Sequence, residues 1–166
     1  MKKITFKKYI YFFLILLIIF FLDRVSKIYI LSLANSELYL DIYINKFLNI
    51  YLIWNTGIGF GLLSFDDTLI YNITTFIIVI INFILIYFTF VSDNSKSVFF
   101  AFILGGSLGN LFDRFYYSAV PDFIDIHFNN YHWFIFNVAD IFITLGIVFL
   151  ICIEIFGSKK QKNENY

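Results

Sequence analysis

Four long apolar stretches, at residues 9–33, 69–91, 98–114 and 134–156, limit what this chain can fold into more than any other feature. A bilayer core of about 30 Å is crossed by roughly 20 helical residues rising about 1.5 Å each. The stretches are apolar on every side, which does not suit a helix lying flat on a membrane surface. The first is charge-free over residues 9–22, meets Asp23, Arg24 and Lys27, and resumes as IYILSL. Only 14% of the residues are charged and 60% are hydrophobic, too few charges to coat a water-facing surface. With 24 Phe and 12 Tyr the chain is far too apolar for disorder. Twelve basic residues balance twelve acidic ones, so nucleic acid is not an expected partner. The single cysteine, Cys152, excludes an internal disulfide framework and reads as a packing residue.

The fold class expected is an all-α membrane protein. It has four transmembrane helices, a small extracytoplasmic β-structured element and one integral membrane domain over residues 1–166. Lys2, Lys3, Lys7 and Lys8 precede the first span; Lys159, Lys160 and Lys162 follow the fourth. With the short connection 92–96, these lysines predict that both termini face the cytoplasm. The longer connections, about 34–68 and 115–133, then lie outside. In the first, LYLDIYI (38–44) and FLNIYLIWN (47–55) are partly alternating and flank a turn at Asn45-Lys46, which predicts a hairpin at the membrane surface. A competing reading makes the first segment a cleavable signal peptide, with a small-residue site near Ala34 and Ser36. Asp23, Arg24 and Lys27 lie between its apolar run and that site and argue against cleavage.

Charges inside apolar stretches cost roughly 2.5–3.5 kcal/mol each at the bilayer centre, so they are functional candidates by default. Asp23 and Lys27 are spaced i, i+4 and can pair on one helix face. That pair reads either as an interfacial anchor or as support for a polar site. Asn55-Thr56-Gly57-Ile58-Gly59-Phe60-Gly61 reads as a tight turn, or as backbone that comes close to a substrate beside Asn55. Gly105, Gly106 and Gly109 predict close helix packing. Asn110, Asp113 and Arg114 follow at helical spacing and are expected to point to one side. Asp122 follows the only proline, and Asn137-Val138-Ala139-Asp140 opens the fourth span. Singly, these are a loop acid and a helix cap. Together, Asp122 and Asp140 suit two carboxylates sharing a proton: one takes a proton from water, the other polarises a carbonyl. His127 and His132 are five apart, which does not put both on one face of a zinc-binding helix. They read as interfacial histidines, a His/Asp metal site being the lesser alternative, and no metal site is assigned. Ser26, Ser64 and Ser107 have no evident histidine partner, and Glu154 is expected to pair with Lys159 or Lys160.

These segments, in order, resemble the lipoprotein signal peptidases (signal peptidase II). The matching runs are Asp23-Arg24-Val25-Ser26-Lys27, Asn55-Thr56-Gly57-Ile58-Gly59-Phe60, Gly105 through Arg114, Val120-Pro121-Asp122-Phe123, and Phe136-Asn137-Val138-Ala139-Asp140. The resemblance spans nearly the whole chain. Arg24 departs from the Gln common in the family, and Tyr116-Tyr117-Ser118 and Pro121 depart from commoner variants. It implies a four-span aspartic endopeptidase of the bacterial cytoplasmic (inner) membrane, multi-pass and using no cofactor. Asp122 and Asp140 would be catalytic. Asp23, Lys27, Asn55, Gly57, Asn110, Asp113, Arg114 and Asn137 would form the supporting polar shell, with no role for Asp125 in the chemistry. Its implied substrates are diacylglyceryl prolipoproteins, cut just before the lipidated cysteine; membrane lipids surround it and it works as a monomer. Intramembrane carboxylates also mark ion paths, so a small transporter or proton relay is the alternative. A structural subunit without chemistry is a third reading.

Overall fold

The structure, a computed structural model, describes residues 6–34, 40–57, 68–129 and 131–163. The chain runs α1 (Phe6–Ala34), β1 (Asp41–Asn45), β2 (Leu48–Asn55), α2 (Thr68–Val91), α3 (Asn94–Tyr117), β3 (Val120–Phe128), β4 (Tyr131–Phe136), α4 (Val138–Asn163). Residues 35–39, Gly59, Phe60, Gly61 and Ser64 lie outside the described residues, as do Lys2 and Lys3 and the side chains of Lys159, Lys160 and Lys162.

Among the described residues, three helices are long and apolar enough to cross a membrane, over Thr68–Val91, Asn94–Tyr117 and Val138–Phe156, where four spans were expected. Their burial is inverted relative to a water-soluble bundle. On α2 the buried residues are Thr75, Asn82, Leu85 and Thr89, while Ile73, Phe76, Ile77, Phe83 and Ile84 are exposed. On α1 the buried stripe is Phe12, Ile19, Asp23, Lys27 and Ile30, whose spacing follows one helix face. Asp23, Arg24 and Lys27 of α1 therefore turn inward, while most of its apolar residues turn outward.

Helix α3 is the centre of the bundle and packs on α1, α2 and α4. Its glycines allow this. A Cβ on Gly106 would stand 2.5 Å from the Ala139 carbonyl oxygen, and one on Gly109 2.6 Å from Asp23 Oδ2. Close helix approach is thus what these small residues provide. Asn82 donates to Ser107 Oγ at 2.9 Å, a polar tie between α2 and α3. At one end of the bundle Lys8 donates to the Ser92 carbonyl (3.1 Å), and Lys96 pairs with Glu154 (2.6 Å). The start of α1, the C-terminal part of α4 and the α2–α3 turn accordingly share that end. Glu154 thus pairs with Lys96, while the side chains of Lys159 and Lys160, its expected partners, lie outside the described residues.

The expected hairpin is present as β1 and β2, but it is half of a larger sheet. Strands β1-β2-β3-β4 form one antiparallel sheet in that order. Connection 115–133, read as a loop, is mostly α3 and the β3–β4 hairpin. Helix α3 runs on to Tyr117 and stops at Ser118, which takes the left-handed conformation (φ 58°) and turns the chain directly into β3. Helix α3 also starts at Asn94 rather than near 98. Phe134 and Phe136 belong to β4, so α4 starts at Val138 rather than near 134. Ile30, Leu40 and Phe123 form a small apolar cluster that seats the sheet on α1.

Candidate active site

The start of α4 is set by a reciprocal cap. Asn137 Oδ1 accepts from the Asp140 amide and Asp140 Oδ2 accepts from the Asn137 amide, both at 3.2 Å. This is a capping-box arrangement, with Asn137 as cap and Asp140 three residues on. The capping role and a chemical role are therefore held by the same two residues. Asn110 on α3 donates to the other Asp140 oxygen at 2.8 Å.

Asp122 is delivered from β3, opposite Ile53 of β2 in the register. Its Oδ1 accepts from Asn137 Nδ2 at 2.6 Å and its Oδ2 from Asn55 Nδ2 at 2.9 Å. Asn137 thus touches both acids, one through its side-chain amide and one through its backbone. Asp122 has no solvent exposure and Asp140 only 7%. Burial, and then the nearby Asp140 charge, push the Asp122 carboxyl up to about 7; the Asn55 and Asn137 amides pull the other way.

Behind Asp140 lies an ion cluster between α1 and α3. Lys27 Nζ donates to Asp23 Oδ2 (2.9 Å), Asn110 Oδ1 (2.8 Å) and Asp113 Oδ2 (2.6 Å), which uses its three protons. Arg24 bridges the same two acids, Asp23 at 3.0 Å and Asp113 at 2.5 Å, with its guanidinium 4.9 Å from the Phe112 ring centroid. Two cations thus face two carboxylates, and the buried group is neutral. Asp23 Oδ1 also accepts from the Ala139 amide at 3.1 Å, satisfying a free donor in the first turn of α4.

Asn110 and Asp113 meet on one side, at Lys27, whereas Arg114 turns elsewhere. Asn110 faces Lys27 and Asp140, and Asp113 turns to α1. Arg114 donates to the Gly57 carbonyl and lies over Tyr71, whose hydroxyl donates to the Arg114 carbonyl at 2.9 Å. Gly57 in turn donates its amide to Asn55 Oδ1 at 2.8 Å. Residues of the 55–57 segment are thereby tied to the end of α3. A helix packed on several neighbours sends side chains one turn apart to different partners, and the spacing that joins Asn110 to Asp113 does not hold Arg114 to the same side.

A cavity of about 240 Å³ brings Asp122 and Asp140 together with Asn55, Asn110 and Arg114. It continues along Ile78 of α2 and Ile143 and Ile147 of α4, an apolar channel leading from two acids. Ser107 also lines it. Sequence reading passed over Ser107 for want of a histidine partner; its place one turn before Asn110 was the available signal. A second depression of about 410 Å³ follows α2 by Thr68, Asn72 and Phe76, and none of its described lining residues titrates.

Residues 15–156 match the family model described as Signal peptidase (SPase) II. The chain is 51% identical over 164 residues to the lipoprotein signal peptidase of Pelagibacter ubique (strain HTCC1062), covering 99% of each chain. It is 38% identical over 157 residues to the lipoprotein signal peptidase of Francisella tularensis subsp. novicida (strain U112), covering 91% of this chain and 94% of that one. A bacterial membrane enzyme solved by the in meso method at 2.3 Å superposes with TM-score 0.74 and 30% identity, covering 91% of this chain and 90% of that one. A second such enzyme, solved at 1.9 Å, gives TM-score 0.66 and 32% identity over 85% and 90%. By its sequence along nearly its whole length, the chain belongs to the signal peptidase II family of membrane peptidases.

Proposed function

We propose that this peptidase uses Asp122 and Asp140 as a catalytic dyad to cut diacylglyceryl-modified prolipoproteins just before the lipidated cysteine. The observation that carries this reading is the pair of buried acids in one cavity, joined through Asn137, at the head of an apolar channel. A signal peptide is itself an apolar helix, and the lipid chains need apolar walls, so channel and substrate match in chemistry.

Below about pH 7 Asp122 holds the shared proton, and Asp140 is the base. A water molecule adds to the scissile carbonyl carbon and gives its proton to Asp140. Asp122 gives its proton to the carbonyl oxygen. Collapse of the tetrahedral intermediate breaks the C–N bond; Asp140 returns its proton to the leaving amine, and the oxygen's proton goes back to Asp122. The dyad ends as it began, and no cofactor takes part. Asn55, Asn110 and Asn137 keep the acids in place, Arg114 lines the cavity and is held by Gly57, and Asp23, Lys27 and Asp113 hold Asn110 and the start of α4.

Helix α1, with 29 residues, is the fourth span. At about 1.5 Å per residue it exceeds the bilayer core, and its charges face α3 and α4 rather than lipid. The lysine-rich ends put both termini on the cytoplasmic side of the inner membrane, with the sheet outside. The protein is one domain, contacts lipid over its apolar exterior and acts as a monomer, since every group of the mechanism comes from one chain.

The test is incubation of purified protein with a prolipoprotein carrying a diacylglyceryl cysteine and with its unlipidated form. Mass spectrometry should find a product beginning at the lipidated cysteine, and far slower cleavage of the unlipidated chain. No cleavage would sink the reading, and equal rates would remove the lipid from it. The same assay run across roughly pH 5 to 9 tests the dyad. The Asp122 proton is bound below about 7 and lost above it. kcat/KM should therefore fall above that pH, approaching tenfold per unit; a profile still flat at pH 9 would contradict the shared proton.

A further inference from the structure

Strand β3 carries a second polar cluster that the mechanism does not use. Asp125 lies three residues from Asp122 on a continuous strand, so the two side chains leave opposite faces. Asp125 and His127 share a face, both buried at 1% and 7% exposure, while Ile126 and Phe128 between and beyond them are exposed. His132 on β4 is the register partner of His127. Across a hairpin, the five-residue spacing that fails on a helix places both rings side by side. Their centroids are 5.4 Å apart, and one donor atom from each of Asp125, His127 and His132 lies within 4.8 Å of the others.

The hydrogen bonding here is incomplete. His132 Nδ1 is 2.8 Å from Asp125 Oδ2, but His127 Nδ1 is 3.8 Å from that oxygen, too far for a hydrogen bond. Asp125 Oδ1 and His127 Nδ1 are buried with no hydrogen-bond partner among the described residues. So is Oδ1 of Asn49, the β2 residue opposite Asp125 in the register. A buried polar atom left unpaired costs roughly 1–3 kcal/mol. Donor atoms of Asp125 and the two imidazoles converge on one place, and Asn49, with an oxygen that can only accept, is the register partner of Asp125. Their shared chemistry is that of Lewis bases, and what satisfies all of them together is a cation.

We propose that Asp125, His127 and His132 bind one divalent transition-metal ion of the zinc class, with Asn49 Oδ1 as a further oxygen donor. Imidazole nitrogen with a carboxylate selects such ions over magnesium or calcium, which favour all-oxygen shells. Zinc holds N and O ligands at about 2.0–2.2 Å, so ligand atoms sit roughly 3.4 Å apart in a tetrahedral shell. The donors must draw together by about an ångström, and His132, with its side chain 54% exposed, is free to rotate inward. The bound ion would cross-link β2, β3 and β4. That staples the hairpin whose first strand carries Asp122 and whose last residue precedes Asn137.

The test uses full-length protein without a histidine tag, stripped with chelator and titrated calorimetrically in detergent with zinc and, separately, with magnesium. One zinc per chain is expected, with no magnesium binding, and a higher melting temperature with zinc than without. His132→Gln, at a half-exposed position, should keep the metal-free melting temperature and bind zinc at least tenfold more weakly. Cobalt gives an independent readout: one equivalent should produce visible d–d absorption in the unsubstituted protein that zinc displaces. Absence of stoichiometric zinc binding or of the cobalt bands would overturn the site, as would undiminished zinc affinity in both His132→Gln and Asp125→Asn.

Discussion

Asp122→Asn and Asp140→Asn are each expected to slow signal-peptide release by roughly three to four orders of magnitude, while the protein still folds and inserts. The change is almost isosteric and removes only the ability to hold or take a proton. At Asp122 the new amide keeps one acceptor for Asn55 or Asn137 and sets an NH2 against the other. At Asp140 the cap keeps its acceptor for the Asn137 amide. Local stability therefore changes far less than rate. Because the two acids act as one unit, the double variant should be about as slow as either single one rather than slower by the product. The check is single-turnover release of a labelled signal peptide, with circular dichroism on the same samples. Turnover of either variant within tenfold of the unsubstituted enzyme would remove that residue from the dyad.

Lys27→Met should produce the largest loss of stability of any substitution at the site. Lys27 is fully buried and bonded to Asp23, Asp113 and Asn110. Methionine matches its length but leaves Arg24 alone against two buried carboxylates. Breaking a buried ion pair by removing one partner costs about 3–5 kcal/mol, because a charge stays buried without compensation. For a chain of this size that corresponds to a fall in melting temperature of roughly 10 °C. The effect on rate should be smaller than for the acids. It passes through Asn110, which loses its anchor and with it the hold on Asp140. Thermal unfolding in detergent with and without the substitution measures the first effect. A shift below about 2 °C would mean that the cluster contributes little, whatever its geometry.

How far the site can be read from the chain differs residue by residue. Asn137 and Asp140 are legible because their relation is local: three residues apart at a helix start, they must be neighbours. Asp122 can be paired with Asp140 on the chemistry of two carboxylates and through the resemblance, but nothing local ties β3 to α4. Strand β3 had a signal of its own in the alternation Ile124-Asp125-Ile126-His127-Phe128. It is inverted in a membrane protein, with polar residues buried and apolar ones exposed, and reading 115–133 as a connection missed it. The two histidines were tested against helical spacing alone. Only the hairpin register turns a separation of five into adjacency.

The sequence by itself determined that this chain lives in a membrane and that its inward-turned charges need one another. Apolar stretches of about 20 residues have no favourable place in water, and isolated charges have none in lipid, so both conclusions follow from solvation alone. Only the tertiary structure decided which charge meets which. Lys27 reaches two acids, one on its own helix and one on α3, and Asp23 reaches the amide of Ala139 on α4. Arg24 becomes the second cation that balances Asp113. These pairings span most of the chain, and hydropathy is a local property that carries no information about them. The zero net charge of the sequence thus hides a neutral cluster of four buried charges, which glycines 106 and 109 bring together by letting three helices touch.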